Sequence, residues 1–222
     1  MTPQESAEAI LGEAITRFRG RIALACSFGG PSGMALLDLA LRLEPALPVY
    51  YLDTGLLFPE TYELVQRVSR RYGIAPIPVR TTLSLGAQAE QYGANLWERD
   101  PDRCCALRKV EPQRAFLRGY DAWLSGVRRE QSVTRRTLEP FQADGENLMK
   151  VSPLYDWTEE DVWTYVNARN VPVNALHADG YPSIGCVPCT RAVAPGEDQR
   201  AGRWSGFMKT ECGLHVPHEV GA

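Results

Sequence analysis

Apolar residues recur at helical spacing over residues 5–18, where Ala9, Ile10, Ala14 and Phe18 fall near one face. Arg21-Ile22-Ala23-Leu24-Ala25-Cys26 is a short apolar run of strand character. It ends in the turn Ser27-Phe28-Gly29-Gly30-Pro31-Ser32-Gly33, and a helix carrying Met34, Leu36, Leu37, Leu39, Leu41 and Leu43 follows. Residues 48–52 (PVYYL) form the next strand, running into Asp53-Thr54-Gly55, with a helix over 59–72 behind it. A third strand over 74–79 contains Pro76 and Pro78, which place it at a sheet edge, because proline has no ladder donor. A loop-rich stretch reaches Arg103. A helix over 104–118 and a strand over 122–126 complete the regular part. Strands that are apolar almost throughout, alternating with helices, predict an α/β chain whose parallel sheet is covered by helices. Beyond Val127 the pattern loosens. Thr158 and Asp161 have capping-box spacing and open another helix. Residues 180–222 are rich in Gly, Pro, Arg and Cys and read as loop, short helix and a mobile tail.

Composition narrows the function. Lys and Arg number 24 against 27 Asp and Glu, a formal charge of −3, which argues against a protein built to grip a nucleic-acid backbone. No apolar run approaches the ~20 residues of a membrane span. The N-terminal segment carries acids where a signal peptide carries bases, so the chain reads as soluble and cytoplasmic. Six cysteines in 222 residues are not a disulfide framework, and in a reducing compartment they point to metal or redox chemistry. A homo-oligomer stays open.

Three features carry candidate chemistry. The turn at Ser27, Phe28, Gly29 and Gly30 hands a strand over to a helix, where backbone N–H groups can approach a phosphate closely. Alone it reads as an ordinary tight β–α turn; its place at the carboxyl end of a strand, where open α/β sheets bind ligands, strengthens the case. Cys104-Cys105 and the Cys186-x-x-Cys189 pair supply four thiolates if the fold unites them, a donor set for zinc or an iron–sulfur cluster. Adjacent cysteines diverge, which suits two irons of a cubane better than one zinc. The bland alternatives are four unrelated thiols, or a redox C-x-x-C beside a bystander pair. Basic residues bunch beside these features: Arg103, Arg108 and Lys109; Arg128, Arg129, Arg135 and Arg136; Arg191, Arg200 and Arg203. Each alone is a solvated charge, but together they favour an anionic substrate. Cys212 lies in a polar tail near Lys209 and His215, where a thiol is accessible and reactive or merely incidental.

The segments LDTGLLFPET, CCALRKVEP, SGVRREQSVTR, GCVPCTR and KTECGLH together resemble assimilatory adenylyl-sulfate reductases of the phosphoadenylyl-sulfate reductase family, from about residue 20 to residue 215. The resemblance implies a Rossmann-like PP-loop fold, similar to adenine nucleotide alpha hydrolases. Residues 1–204 would form one nucleotide-binding and iron–sulfur domain, and 205–222 a tail carrying the catalytic cysteine. It further implies a [4Fe–4S] cluster on Cys104, Cys105, Cys186 and Cys189. Cys212 would be the nucleophile, and Lys109, Arg128, Arg129, Arg135, Arg200 and Arg203, with the turn at 27–30, would bind substrate; Arg136 is held in reserve for Arg135. The implied reaction reduces adenylyl sulfate to sulfite and AMP through an S-sulfocysteine, with thioredoxin or a similar dithiol as donor. Both cysteine pairs favour adenylyl sulfate over phosphoadenylyl sulfate. Reduction of the latter, or a zinc-stapled nucleotide-binding domain without redox activity, are the rival readings. The chain departs from the family at Gly29, where a serine is usual, and at Pro31-Ser32, where acidic residues are usual.

Overall fold

The computed structural model describes residues 1–145 and 147–214. Helix α1 (Pro3–Arg17) opens at Thr2, whose hydroxyl caps the Glu5 N–H while the Glu5 carboxylate accepts from the Thr2 N–H. Strand β1 (Ile22–Ala25), helix α2 (Pro31–Leu43), strand β2 (Val49–Leu52), helix α3 (Pro59–Tyr72) and strand β3 (Ile77–Val79) follow in alternation. Helices α4 (Leu85–Tyr92), α5 (Leu96–Arg99) and α6 (Pro101–Cys105) occupy the stretch the sequence suggests is loop. Each is too short to show an apolar period. A π turn over Ala106–Val110 joins α6 to α7 (Glu111–Leu117), and strand β4 (Ala122–Ser125) ends this half. A hairpin of β5 (Phe141–Ala143) and β6 (Met149–Val151) precedes helix α8 (Glu159–Ala168).

The sheet runs β3-β2-β1-β4-β6-β5. Five strands are parallel; β5 pairs antiparallel with β6 at one rim, a correction to the all-parallel expectation. β3 forms the other rim, where Pro78 needs no partner on its outer side. Alternate residues of each strand face opposite layers. Ile22, Leu24, Val49, Tyr51, Leu124 and Val151 pack with α1, α2, α3 and α8, whereas Ala23, Tyr50 and Trp123 face Phe116 and Leu117 of α7. Helix α2 is buried on nearly all sides, which is why its sequence is so uniformly apolar. Asp38, inside it, accepts hydrogen bonds from the Tyr72 and Tyr165 hydroxyls and from Arg169, tying α3 and α8 to α2.

The expected helix over 104–118 is interrupted by the π turn for a covalent reason. Pro112 has no N–H to give the Arg108 carbonyl, and its ring would crowd that carbonyl in a tight helix. The backbone widens instead, and the Glu111 N–H reaches back five residues to the Ala106 carbonyl. Arg108 and Lys109 sit on this widened turn. No helix among the described residues is long and apolar enough to cross a membrane.

Candidate active site

The carboxyl ends of β1, β2 and β4 open into a cleft of about 270 Å³. Its floor is the β1–α2 turn. Gly30 is the N-cap of α2 and offers no side-chain cap, which leaves the first N–H groups of the helix unclaimed by side chain. Ser27, Gly29 and Gly30 line the cleft. Phe28 does not; with φ of 53° it turns its ring into the core, edge-on to Tyr51, and its carbonyl accepts from Asn174. Gly29 is required by close approach. A Cβ built there stands 2.7 Å from the Ile184 carbonyl oxygen, inside contact distance. Gly29→Ala should therefore cost about 1–3 kcal/mol, as overpacking does, or displace the Ile184 segment. Urea unfolding of the variant checks this, and a midpoint equal to wild type would show that the segment yields freely.

Behind one wall lies a second, smaller cavity. Cys104, Cys105, Cys186 and Cys189 line it with Leu56, Trp97, Pro101, Arg108 and Lys109. The first pair ends α6, and the second brackets a 3₁₀ turn over Val187–Cys189. That turn is fastened to the chain after β2 by the Val187 N–H donating to the Leu56 carbonyl at 2.8 Å. The Thr54 hydroxyl and Cys186 Sγ are 3.3 Å apart. Arg108 is buried beside them, donating to the Thr54 carbonyl, Gln88 and the Leu83 carbonyl. None of the four cysteines is in a disulfide. Burial, and then the charge of neighbouring thiolates, pushes Cys104 up to about 11 and Cys189 up to about 12; burial also raises Cys105. Among the described residues no three Cys, His, Asp or Glu side chains converge on a single-ion site.

Lys109 belongs to both cavities. Burial disfavours its charge, but the neighbouring sulfurs of Cys186, Cys105 and Cys212 outweigh that and hold the Lys109 ammonium above the usual lysine value. Arg203 lines the cleft, with Nη1 on Ser183 and Nε buried without a partner. Beside it the Trp204 Nε1 is also buried and unpartnered. Two orphaned donors at a cleft wall mark a place for acceptor oxygens.

The tail is docked across the mouth. Lys209 pairs with Asp102 and lies over the Trp204 ring, and a side chain at Gly213 would press on Val110 of the π turn. The Glu211 carboxylate receives Arg135 Nε at 2.9 Å and Nη2 at 2.8 Å, while Arg200 donates to the Thr210 carbonyl at 2.6 Å. Cys212 thereby lines the cleft. His215 and the remainder of the tail lie outside the described residues.

The sequence-derived bases divide. Lys109, Arg135, Arg200 and Arg203 surround the cleft. Arg128 reaches its wall, but its guanidinium is spent on Ser32, Glu130 and the Trp157 carbonyl. Arg129 turns away, stacking on Tyr155 and donating to Leu138 and Glu139; Arg136 is exposed. Sequence reasoning missed Gln113, Trp123, Trp204 and Glu211 as cleft residues. For Glu211 a signal existed, since it adjoins Cys212; the others are brought in only by the fold.

A family profile described as the phosphoadenosine phosphosulfate reductase domain matches residues 21–192. An adenosine 5′-phosphosulfate reductase of Geobacillus kaustophilus is 47% identical over 209 residues, covering 93% of this chain and 88% of that protein. Adenosine 5′-phosphosulfate reductase 2 of Bacillus subtilis is 47% identical over 208 residues, with 93% and 88% covered. Among solved structures, a phosphoadenylyl-sulfate reductase from Candida auris in complex with phosphate superposes with a TM-score of 0.70 at 30% identity, covering 87% of this chain and 91% of that one.

Proposed function

Because the chain belongs to the phosphoadenosine phosphosulfate reductase domain family, we propose that this oxidoreductase reduces adenylyl sulfate to sulfite and AMP, as a cytoplasmic step of sulfate assimilation. One observation carries the reading: a single cleft is lined by an accessible thiol, Cys212, by the ammonium of Lys109 and by the orphaned donors of Arg203 and Trp204. Its relatives at 47% identity are named for that substrate.

In this reading residues 1–204 form the nucleotide-binding body and 205–222 the arm that carries the nucleophile. The turn Ser27–Gly30 and the start of α2 lie against the nucleotide's phosphate. The Cys212 thiolate attacks the sulfonyl sulfur; the S–S bond forms, the sulfur–oxygen bond to phosphate breaks, and AMP leaves with the electron pair. Lys109 and Arg203 offset the charge gathering on the departing phosphate. A thiolate of thioredoxin or a similar dithiol then attacks Cys212 Sγ and expels sulfite. Its second thiol resolves the mixed disulfide, so both electrons come from the donor.

The cysteine cavity suits a [4Fe–4S] cluster. Three buried thiols and the half-buried Cys189 line one space with apolar neighbours, an all-sulfur donor set of the kind that holds such clusters, while Arg108 and Lys109 stand beside it to balance a thiolate-rich centre. Cys104, Cys105, Cys186 and Cys189 would hold it. When bound, the cluster supplies a structural tie and a local field rather than electrons. Steady-state kcat/KM with adenylyl sulfate and with phosphoadenylyl sulfate, side by side, tests the proposal. A clear preference for adenylyl sulfate is expected. A preference for the 3′-phosphorylated nucleotide would move the chain to the other reductase class, and no sulfite from either would sink the reading.

A further inference from the structure

Lys150 lies at the middle of β6, opposite Trp123 of β4 and Gln142 of β5. Its neighbours Met149 and Val151 face the α1, α2, α3 and α8 layer. Lys150 therefore faces the other way, with Trp123 and Tyr50, toward the side of the sheet whose carboxyl end carries part of the cleft wall. It is 6% exposed. Its Nζ lies 5.7 Å from the Trp123 ring centroid, and Trp123 is a cleft residue. Among the described residues, no hydrogen bond or ion pair holds this ammonium. An unpaired buried charge is expensive and finds no reward in the fold itself.

The charged groups around it are Asp144, Arg135, Glu211 and Cys212. The Asp144 carboxylate already accepts from Trp123 Nε1 at 2.7 Å, and Tyr50 and Tyr120 lie nearby. Arg135 and Glu211 satisfy each other. What remains without a dedicated counter-charge on this side is Cys212 and whatever anion it meets. Lys109 lines the cleft together with Cys212; Lys150 stands behind the lining residue Trp123, close enough for the charges of Lys150 and Cys212 to interact.

We propose that Lys150 is a catalytic residue of sulfonyl transfer, its ammonium meeting the sulfonate oxygens as sulfur passes to Cys212. The proposal rests on the function argued above. Docking the tail brings together the Glu211 carboxylate, the Cys212 thiolate and the anionic sulfonyl group. During transfer the Sγ–S bond forms, the sulfur–oxygen bond breaks, the electron pair departs with AMP, and the sulfonate left on Cys212 keeps its negative charge. A fixed ammonium on the sheet side holds that group in line and offsets the crowding of like charge.

The test mixes the full-length protein with adenylyl sulfate without any thiol donor and follows the sulfonated Cys212 peptide by rapid quench and mass spectrometry. Lys150→Met should slow its formation roughly 100-fold, as loss of one preorganised donor does. AMP affinity should be unchanged, and thermal stability equal or higher, because an unpaired buried charge has been removed. Lys150→Arg should recover most of the rate. Burial above all, and then Arg135, holds Lys150 down to about 8. The wild-type rate should therefore fall as pH rises through about 8 and the ammonium is lost, and this fall should vanish in Lys150→Arg, which stays charged. Wild-type transfer by Lys150→Met, a marked loss of its thermal stability, or an unchanged alkaline fall in Lys150→Arg would each overturn the proposal. If the wild-type protein forms no cysteine-bound sulfonate at all, the functional reading itself fails and this proposal with it.

Discussion

Cys212→Ser should lower sulfite production by roughly 10,000-fold or more, the scale seen when a covalent nucleophile is deleted. Serine keeps nearly the same shape. The hydroxyl, however, gives up its proton far less readily than a thiol and forms no S–S bond with the sulfonyl group. The contacts that seat the tail do not involve the Cys212 side chain: Glu211 stays on Arg135, Lys209 on Asp102 and the Thr210 carbonyl on Arg200. AMP affinity should accordingly stay within about twofold, since surface-neutral changes shift free energies by ~0.5 kcal/mol or less. The pair of measurements is decisive, because a folding defect would damage both together. Sulfite release above a few per cent of wild type would remove Cys212 from the mechanism.

Cys105→Ser should lose bound iron and activity together. A serine alkoxide is a poor ligand for iron that thiolates hold, and a site open at one corner admits water and oxidant. The readouts are iron content and visible absorbance of protein purified without air, with activity in parallel. Loss of iron is expected to be nearly complete, since ligands bind such a centre as a set. The fold should be less affected than the centre, because the sheet and the α2 core lie on other residues. A Cys105→Ser protein retaining full iron would show that the adjacent pair does not ligate twice. Colourless wild-type protein carrying zinc would return the cavity to a structural staple.

The parts of the fold visible in sequence were those whose pattern is self-sufficient. β1, β2 and β4 are apolar on both faces because helices cover both, and α2 is apolar because it is enclosed. The β5–β6 hairpin was not visible. Its strands have three residues each, and Gln142 and Lys150 break the apolar run. A lysine there looks like a charge guarding an exposed rim, yet β6 is an interior strand and Lys150 is buried. In the site, the two cysteine pairs and Lys109 stood out by spacing and residue type, and the fold gathers them around one cavity. Arginines are less informative. Arg129 and Arg135 look alike in SGVRREQSVTR, but two successive 3₁₀ turns aim one at Tyr155 and the other at the tail. Trp204 and Gln113 belong to the cleft only through contacts made across the whole chain.

The four-cysteine cavity also imposes an order on biosynthesis. About 80 residues separate its first pair from its second. At roughly 5–20 residues per second, a ribosome exposes Cys104 and Cys105 some ~4–16 s before Cys186 appears. β6, whose place in the sheet lies beyond β4, is made in that interval too. Two neighbouring thiols thus emerge on a nascent chain with no partners to close over them. Until the second pair arrives they depend on the surroundings to stay reduced, and anything that engages all four thiols must wait until Cys189 has been made.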